Sequence, residues 1–140
     1  MKQYSYLLSL ICALFITLPC NAQQVNDDPV DEQYRECIKI DSTSGNICTC
    51  AYIAYGKYNE QMNKTYKKLL KSLKLPKEKT VLQQSQTAWM AYRDAEFKTY
   101  DVMFNLPGDK WCGIRQYDRL EIVKARIISL KNYLIALEKK

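Results

Sequence analysis

From Ile114 to Lys140 the chain contains neither glycine nor proline, and Leu120, Val123, Ile127, Leu130, Leu134 and Leu137 recur there at steps of three and four. Side chains three and four residues apart stack on one side of a helix, so this spacing predicts a long helix with one apolar stripe. Two further stretches repeat the pattern. Tyr55, Met62, Tyr66, Leu69 and Leu73 keep helical spacing from about Thr49 until Pro76. Pro76 suits the first position of the next helix, because the amide it lacks would have no partner there. That helix carries Leu82, Ser85, Trp89, Tyr92, Glu96, Thr99 and Met103, and "NLPGD" ends it. A shorter segment, "DEQYRECIKI", predicts a short helix that stops at "DSTSGN". No segment alternates with period two. The expectation is an all-α fold, a small antiparallel bundle of three long helices plus a short N-terminal one. A chain of 140 residues has room for one such core.

The first residues carry an address. Lys2 precedes the apolar run "YLLSLICALFITL", and "PCNA" supplies small residues, Cys20 and Ala22, at the positions a signal peptidase reads. Residues 1–22 are therefore expected to be a signal peptide and 23–140 a single helical domain in the periplasm or outside the cell. The run is too short, and too soon followed by polar residues, to read as a permanent span. Acylation of Cys20 would instead tether a lipoprotein, although Thr17 and Pro19 fit that signal poorly; only in that case is membrane attachment expected.

Cleavage after Ala22 leaves Cys37, Cys48, Cys50 and Cys112, an even number in an oxidising compartment, and two disulfides are expected. Cys48 and Cys50 are too close to pair with each other without strain. Cys37 with Cys48 and Cys50 with Cys112 is one pairing; Cys37 with Cys50 and Cys48 with Cys112 is the other. Both tie the N-terminal segment to the first long helix, and that helix to the approach to the last.

The chain has no histidine, so it offers no Ser-His-Asp or Cys-His pair and no imidazole base. C-x-C spacing without histidine argues against a metal site, and the four glycines form no phosphate-cradling loop. Asp94 and Glu96 diverge on their helix and make no glycosidase pair. Neither an enzyme nor a cofactor is expected. Without Lys2 the formal charge is +5, from 20 basic and 15 acidic residues. In a cytosolic protein, eleven tyrosines with a basic balance would suggest nucleic acid; export argues against it. Much of the charge lies in "KKLLKSLKLPKEK" and the terminal "EKK", which read as solvated helix faces and ends.

Two clusters carry more information. Gln86, Trp89 and Arg93 stand on one helix face, bordered by Tyr92 and Glu96, with Asp94 directed elsewhere. Asn59, Asn63 and Tyr66 share a face of the preceding helix. Packed antiparallel, the two helices would bury Trp89, lay the Arg93 stem over it and fix their register through hydrogen bonds from Asn63 or Tyr66. The same groups could instead line a groove for a partner.

These clusters resemble the small exported family named for the lysozyme inhibitor LprI. A Cys, nine residues on an Asp/Asn, then L-N-x-x-Y, and later A-Q-x-A-W-x-x-Y/F-R-D correspond to Cys50, Asn59, Met62, Asn63, Tyr66, Ser85, Gln86, Ala88, Trp89, Tyr92, Arg93 and Asp94. Arg126 and Leu130 resemble a late R-x-x-x-L, so the likeness extends from Cys37 to Leu130. Phe97 stands where the family often has a cysteine, "LPGDKWC" replaces a Gly-rich turn, and Cys48 is an extra cysteine that could take over as partner of Cys112. The resemblance implies an exported binding protein that inhibits a lysozyme or another peptidoglycan-cleaving enzyme. The alternative is a periplasmic structural or adaptor protein binding an envelope protein or cell-wall component. Animal lysozymes are basic, so a +5 inhibitor of one needs a local acidic patch.

Overall fold

The computed structural model describes residues 28–106 and 109–139. The expected signal peptide and Cys20 lie outside these residues. Four helices follow one another: α1 (Pro29–Ile40), α2 (Ser44–Ser72), α3 (Pro76–Met103) and α4 (Asp109–Glu138). No strand occurs among the described residues, and none of the described helices is long and apolar enough to cross a membrane. The expected architecture of three long helices and one short one is therefore present, with two disulfides.

Local chemistry explains the helix ends. Asp28 caps α1 by accepting from the Val30 amide at 3.0 Å, just ahead of Pro29 at the first helical position. Thr43 caps α2, and Asp41 holds the cap by accepting from both the Thr43 amide and its hydroxyl. These caps start α2 at Ser44, before the expected Thr49, so both Cys48 and Cys50 sit within its first turns. At α3, the Glu78 carboxylate accepts from the Leu75 amide at 3.3 Å, the return half of a capping box.

The closest pair of helices is α2 with α4, which are not neighbours in sequence. They run parallel: Ile47 meets Gly113, Cys48 joins Cys112, and further along Lys124 lies over the Tyr58 ring. Gly113 permits this approach, since a Cβ there would stand 3.1 Å from Ile47 Cγ2. The core is built largely from this pair, with Ala54, Tyr58, Met62 and Leu69 of α2 against Leu120, Val123, Ile127 and Leu130 of α4. Helix α3 runs antiparallel to α2, as expected, with Tyr55 beside Phe97 and Met62 beside Gln86. It buries only Leu82 and Gln86, because polar Ser85, Glu96 and Thr99 interrupt its stripe. The tight pair is thus α2 and α4, and α3 is a looser cover.

Helix α1 lies over α2 and α4 on its own side. The Cys37–Cys50 disulfide closes 13 residues and holds its C-terminal end to α2. At its N-terminal end, Asp28 accepts from Gln61 at 2.9 Å, and Asp31 accepts two bonds of 3.0 Å from Lys124. Cys48–Cys112, 64 residues apart, locks α2 to α4. The pairing is the second of the two alternatives left open by the sequence.

Candidate functional site

The two sequence clusters divide when they are placed in the fold, and their buried part is a polar rivet between three helices. Gln86 is 6% exposed; its amide nitrogen lies 3.3 Å from Met62 Sδ, and its carbonyl accepts from Arg126 Nε at 3.1 Å. Arg126 also donates to Ser85 Oγ at 3.2 Å and lays its guanidinium 5.7 Å from the centre of the Trp89 ring. No carboxylate pairs with Arg126 among the described residues. Burial lowers its pKa, yet a guanidinium is basic enough to stay charged at neutral pH. Neutral acceptors and an indole face therefore hold the cation. The register bonds come from Gln86, Ser85 and Arg126, and not from Asn63 or Tyr66 as expected. Tyr66 packs beside the core, Asn59 is half-buried and Asn63 is exposed.

Trp89 is half-buried instead of enclosed, because α3 sits as a cover and leaves one side of the indole open. Its other neighbour is Arg93, whose guanidinium lies 5.4 Å from the Trp89 ring centre and 5.8 Å from that of Phe97. Arg93 also bends to the adjacent Asp94, donating to Oδ1 at 2.8 and 2.6 Å. Helix geometry directs the two Cα–Cβ bonds apart; the long Arg side chain bridges that divergence.

Next to the rivet, α3 and α4 leave an open groove of about 410 Å³. Trp89, Tyr92 and Tyr100 line it from α3; Asp118, Glu121 and Arg126 line it from α4. Tyr92 is 53% exposed, so its ring is available to a partner. Glu121 lies 3.2 Å from Lys124 Nζ and is partly neutralised. Asp118 has no cation within ion-pair distance among the described residues. Burial first, and the nearby Glu121 carboxylate second, push its pKa above the usual carboxylate value. A half-buried carboxylate without a cation, in a cleft walled by aromatic rings, is arranged to receive positive charge.

Of the expected residues, Trp89, Tyr92 and Arg126 line the groove; Gln86 holds Arg126, Arg93 stacks on Trp89 and bonds Asp94, and none of Gln86, Arg93, Asp94, Asn59, Asn63 and Tyr66 is among the lining residues. Sequence reasoning missed Tyr100, Asp118 and Glu121. A signal was present: Asp118, Ile122, Ala125 and Ser129 form a second row of four-three-four spacing alongside the apolar stripe of α4. Among the described residues no group of three or more His, Cys, Asp or Glu could hold a metal. The groove offers aromatic rings, a carboxylate without a cation within ion-pair distance among the described residues, and a fixed guanidinium.

No curated protein and no solved structure matches the chain significantly. A family model described as lysozyme inhibitor LprI matches residues 24–128, a span that takes in both disulfides, the rivet and the Asp118 wall of the groove. On the extent of that match, the chain belongs to the LprI lysozyme inhibitor family.

Proposed function

We propose that this protein is an exported, non-enzymatic binding protein that inhibits a lysozyme or another peptidoglycan-cleaving enzyme, and that the groove between α3 and α4 holds a basic segment of that target. Family membership supports the class of activity. The observation that carries the choice of surface is the Asp118 carboxylate, which has no cation within ion-pair distance among the described residues and lines the same groove as Tyr92 and Tyr100. It supplies an acidic group through which a protein of positive net charge could meet a basic enzyme. Tyrosines beside it provide large, rigid contact area, a usual ingredient of binding hot spots. Residues 1–22 would be removed on export, consistent with two disulfides in the domain that remains.

The test is lysis of bacterial cell walls by lysozyme, followed by turbidity, with the mature protein added at low and moderate salt. Inhibition is expected at low salt and should weaken as salt rises. Asp118→Asn and Tyr92→Ala should each reduce inhibition about tenfold or more while leaving the helical circular dichroism unchanged, as expected for hot-spot truncations. Full inhibition by both variants would remove the groove from the proposal. No inhibition of any cell-wall hydrolase by the wild-type protein would favour the adaptor role.

A further inference from the structure

The opposite end of the bundle has a different character. Where α2 ends, α3 begins and α4 finishes, the helices leave an open apolar groove of about 790 Å³. Leu69, Leu73 and Leu82 are among its walls, and Leu75, Val81 and Tyr133 line it while remaining 59%, 56% and 49% exposed. Exposed apolar residues gathered around a concavity call for an occupant.

Charge indicates which. Between residues 67 and 79 the chain carries Lys67, Lys68, Lys71, Lys74, Lys77 and Lys79 against one carboxylate, Glu78. All six lysines are exposed, and Lys77 lines the groove. None has an ion-pair partner among the described residues. Over the rest of the described chain, acidic and basic residues nearly balance, so the net positive charge is concentrated at this end.

We propose that this basic tip docks on the surface of an anionic phospholipid bilayer, with an acyl chain or the upper acyl region entering the groove and the lysines meeting the lipid phosphates. A single soluble amphiphile would need one or two cations; six lysines around one tip suit a sheet of head groups. Leu75 and Val81, exposed on the turn and the first turns of α3, would enter the interface beside them. This contact needs no lipid on Cys20. It also leaves the Asp118 groove, towards the other end of α3, free for a protein.

Sedimentation of the mature protein with phosphatidylglycerol-containing vesicles and with pure phosphatidylcholine vesicles tests the proposal. Binding is expected to the anionic vesicles, to fall as salt is raised, and to be much weaker on neutral ones. The triple variant Lys74→Gln, Lys77→Gln, Lys79→Gln should bind about a hundredfold more weakly, from roughly fivefold per lysine near a charged surface. Leu75→Asp with Val81→Asp should also lose vesicle binding; both positions are exposed, so circular dichroism and lysozyme inhibition should stay at the wild-type level. Equal binding to both vesicles, or to neither, would overturn the proposal. So would binding of oleate without vesicle binding, which assigns the groove to a free amphiphile, or a wild-type dimer that Val81→Asp converts to monomer, which assigns it to a second copy.

Discussion

At the scale of single residues, the strongest constraint is a charge buried without a countercharge. Arg126 is satisfied by Gln86 Oε1, Ser85 Oγ and the Trp89 face. Removing it leaves the buried Gln86 carbonyl without its donor and uncovers the indole. Arg126→Ala should therefore destabilise the fold by about 2 to 3 kcal/mol, readable in chemical denaturation. Arg93→Ala should cost only about 1 kcal/mol, because its partner Asp94 is 63% exposed and water replaces the lost bond. Trp89→Ala falls between a core deletion and a surface change; about 2 to 3 kcal/mol is expected, below the 3 to 5 kcal/mol of a fully buried aromatic. Asp118 has the opposite logic. Its folded pKa is raised, so the native state holds the proton more tightly than the unfolded chain does, and ionisation opposes folding. That penalty is absent below the unfolded value of about 3.9 and complete above the folded one. Asp118→Asn should raise the melting temperature at pH 7 and leave it unchanged near pH 3, while weakening inhibition at pH 7. A residue that lowers stability and supports binding is a functional one; an Asn variant without a stability gain at neutral pH would remove that distinction.

At the scale of the element, glycine separates a helix's own propensity from its packing. Gly56 lies in α2, and apart from its chain neighbours and its own helix backbone nothing stands within 4 Å of an added Cβ. Gly56→Ala should stabilise the protein by about 0.4 to 1 kcal/mol through helix propensity and a less flexible unfolded chain. Gly113, also helical, faces Ile47 at 3.1 Å. There a large side chain must push α4 from α2, and Gly113→Leu should destabilise by about 1 to 3 kcal/mol. Thermal melts of the two variants should move in opposite directions. The start of α2 shows the same balance of local and tertiary causes. Asp41 and Thr43 cap it ahead of the first apolar repeat, and Asn46 Nδ2 donates to Cys37 O at 3.2 Å, anchoring the turn from α1. Apolar periodicity could place the body of this helix; polar cap residues, outside the stripe, decided where it began.

At the scale of the whole molecule, the disulfides differ in the chain they close. Chain-entropy arguments assign about 3 kcal/mol to the 13-residue Cys37–Cys50 loop and about 4 kcal/mol to the 64-residue Cys48–Cys112 loop. The paired variant Cys48→Ala, Cys112→Ala should therefore lose more stability than Cys37→Ala, Cys50→Ala. The reverse order, measured by guanidinium denaturation, would show that fixing α1 contributes more than joining α2 to α4. Charge is polarised on the same scale: lysines at one end, and at the groove between α3 and α4 a carboxylate without a cation. The formal charge of +5 counted without Lys2 conceals that separation, which is why composition alone argued against a basic target.

The helical class, the count of long helices and the cysteines available for two disulfides were determined by the sequence itself, because each follows from short-range spacing and from the rarity of breakers. Gln86, Trp89 and Arg93 were likewise legible as one face. What only the tertiary structure decided was which helix that face would meet. Apolar stripes state that a surface is to be buried, not against which other stripe, so the parallel α2 and α4 pair displaced the neighbouring helices as the core. Arg126 reached Gln86 across 40 residues for that reason, and the same choice paired Cys48 with Cys112 and opened the groove in which Asp118 stands beside the rings of α3.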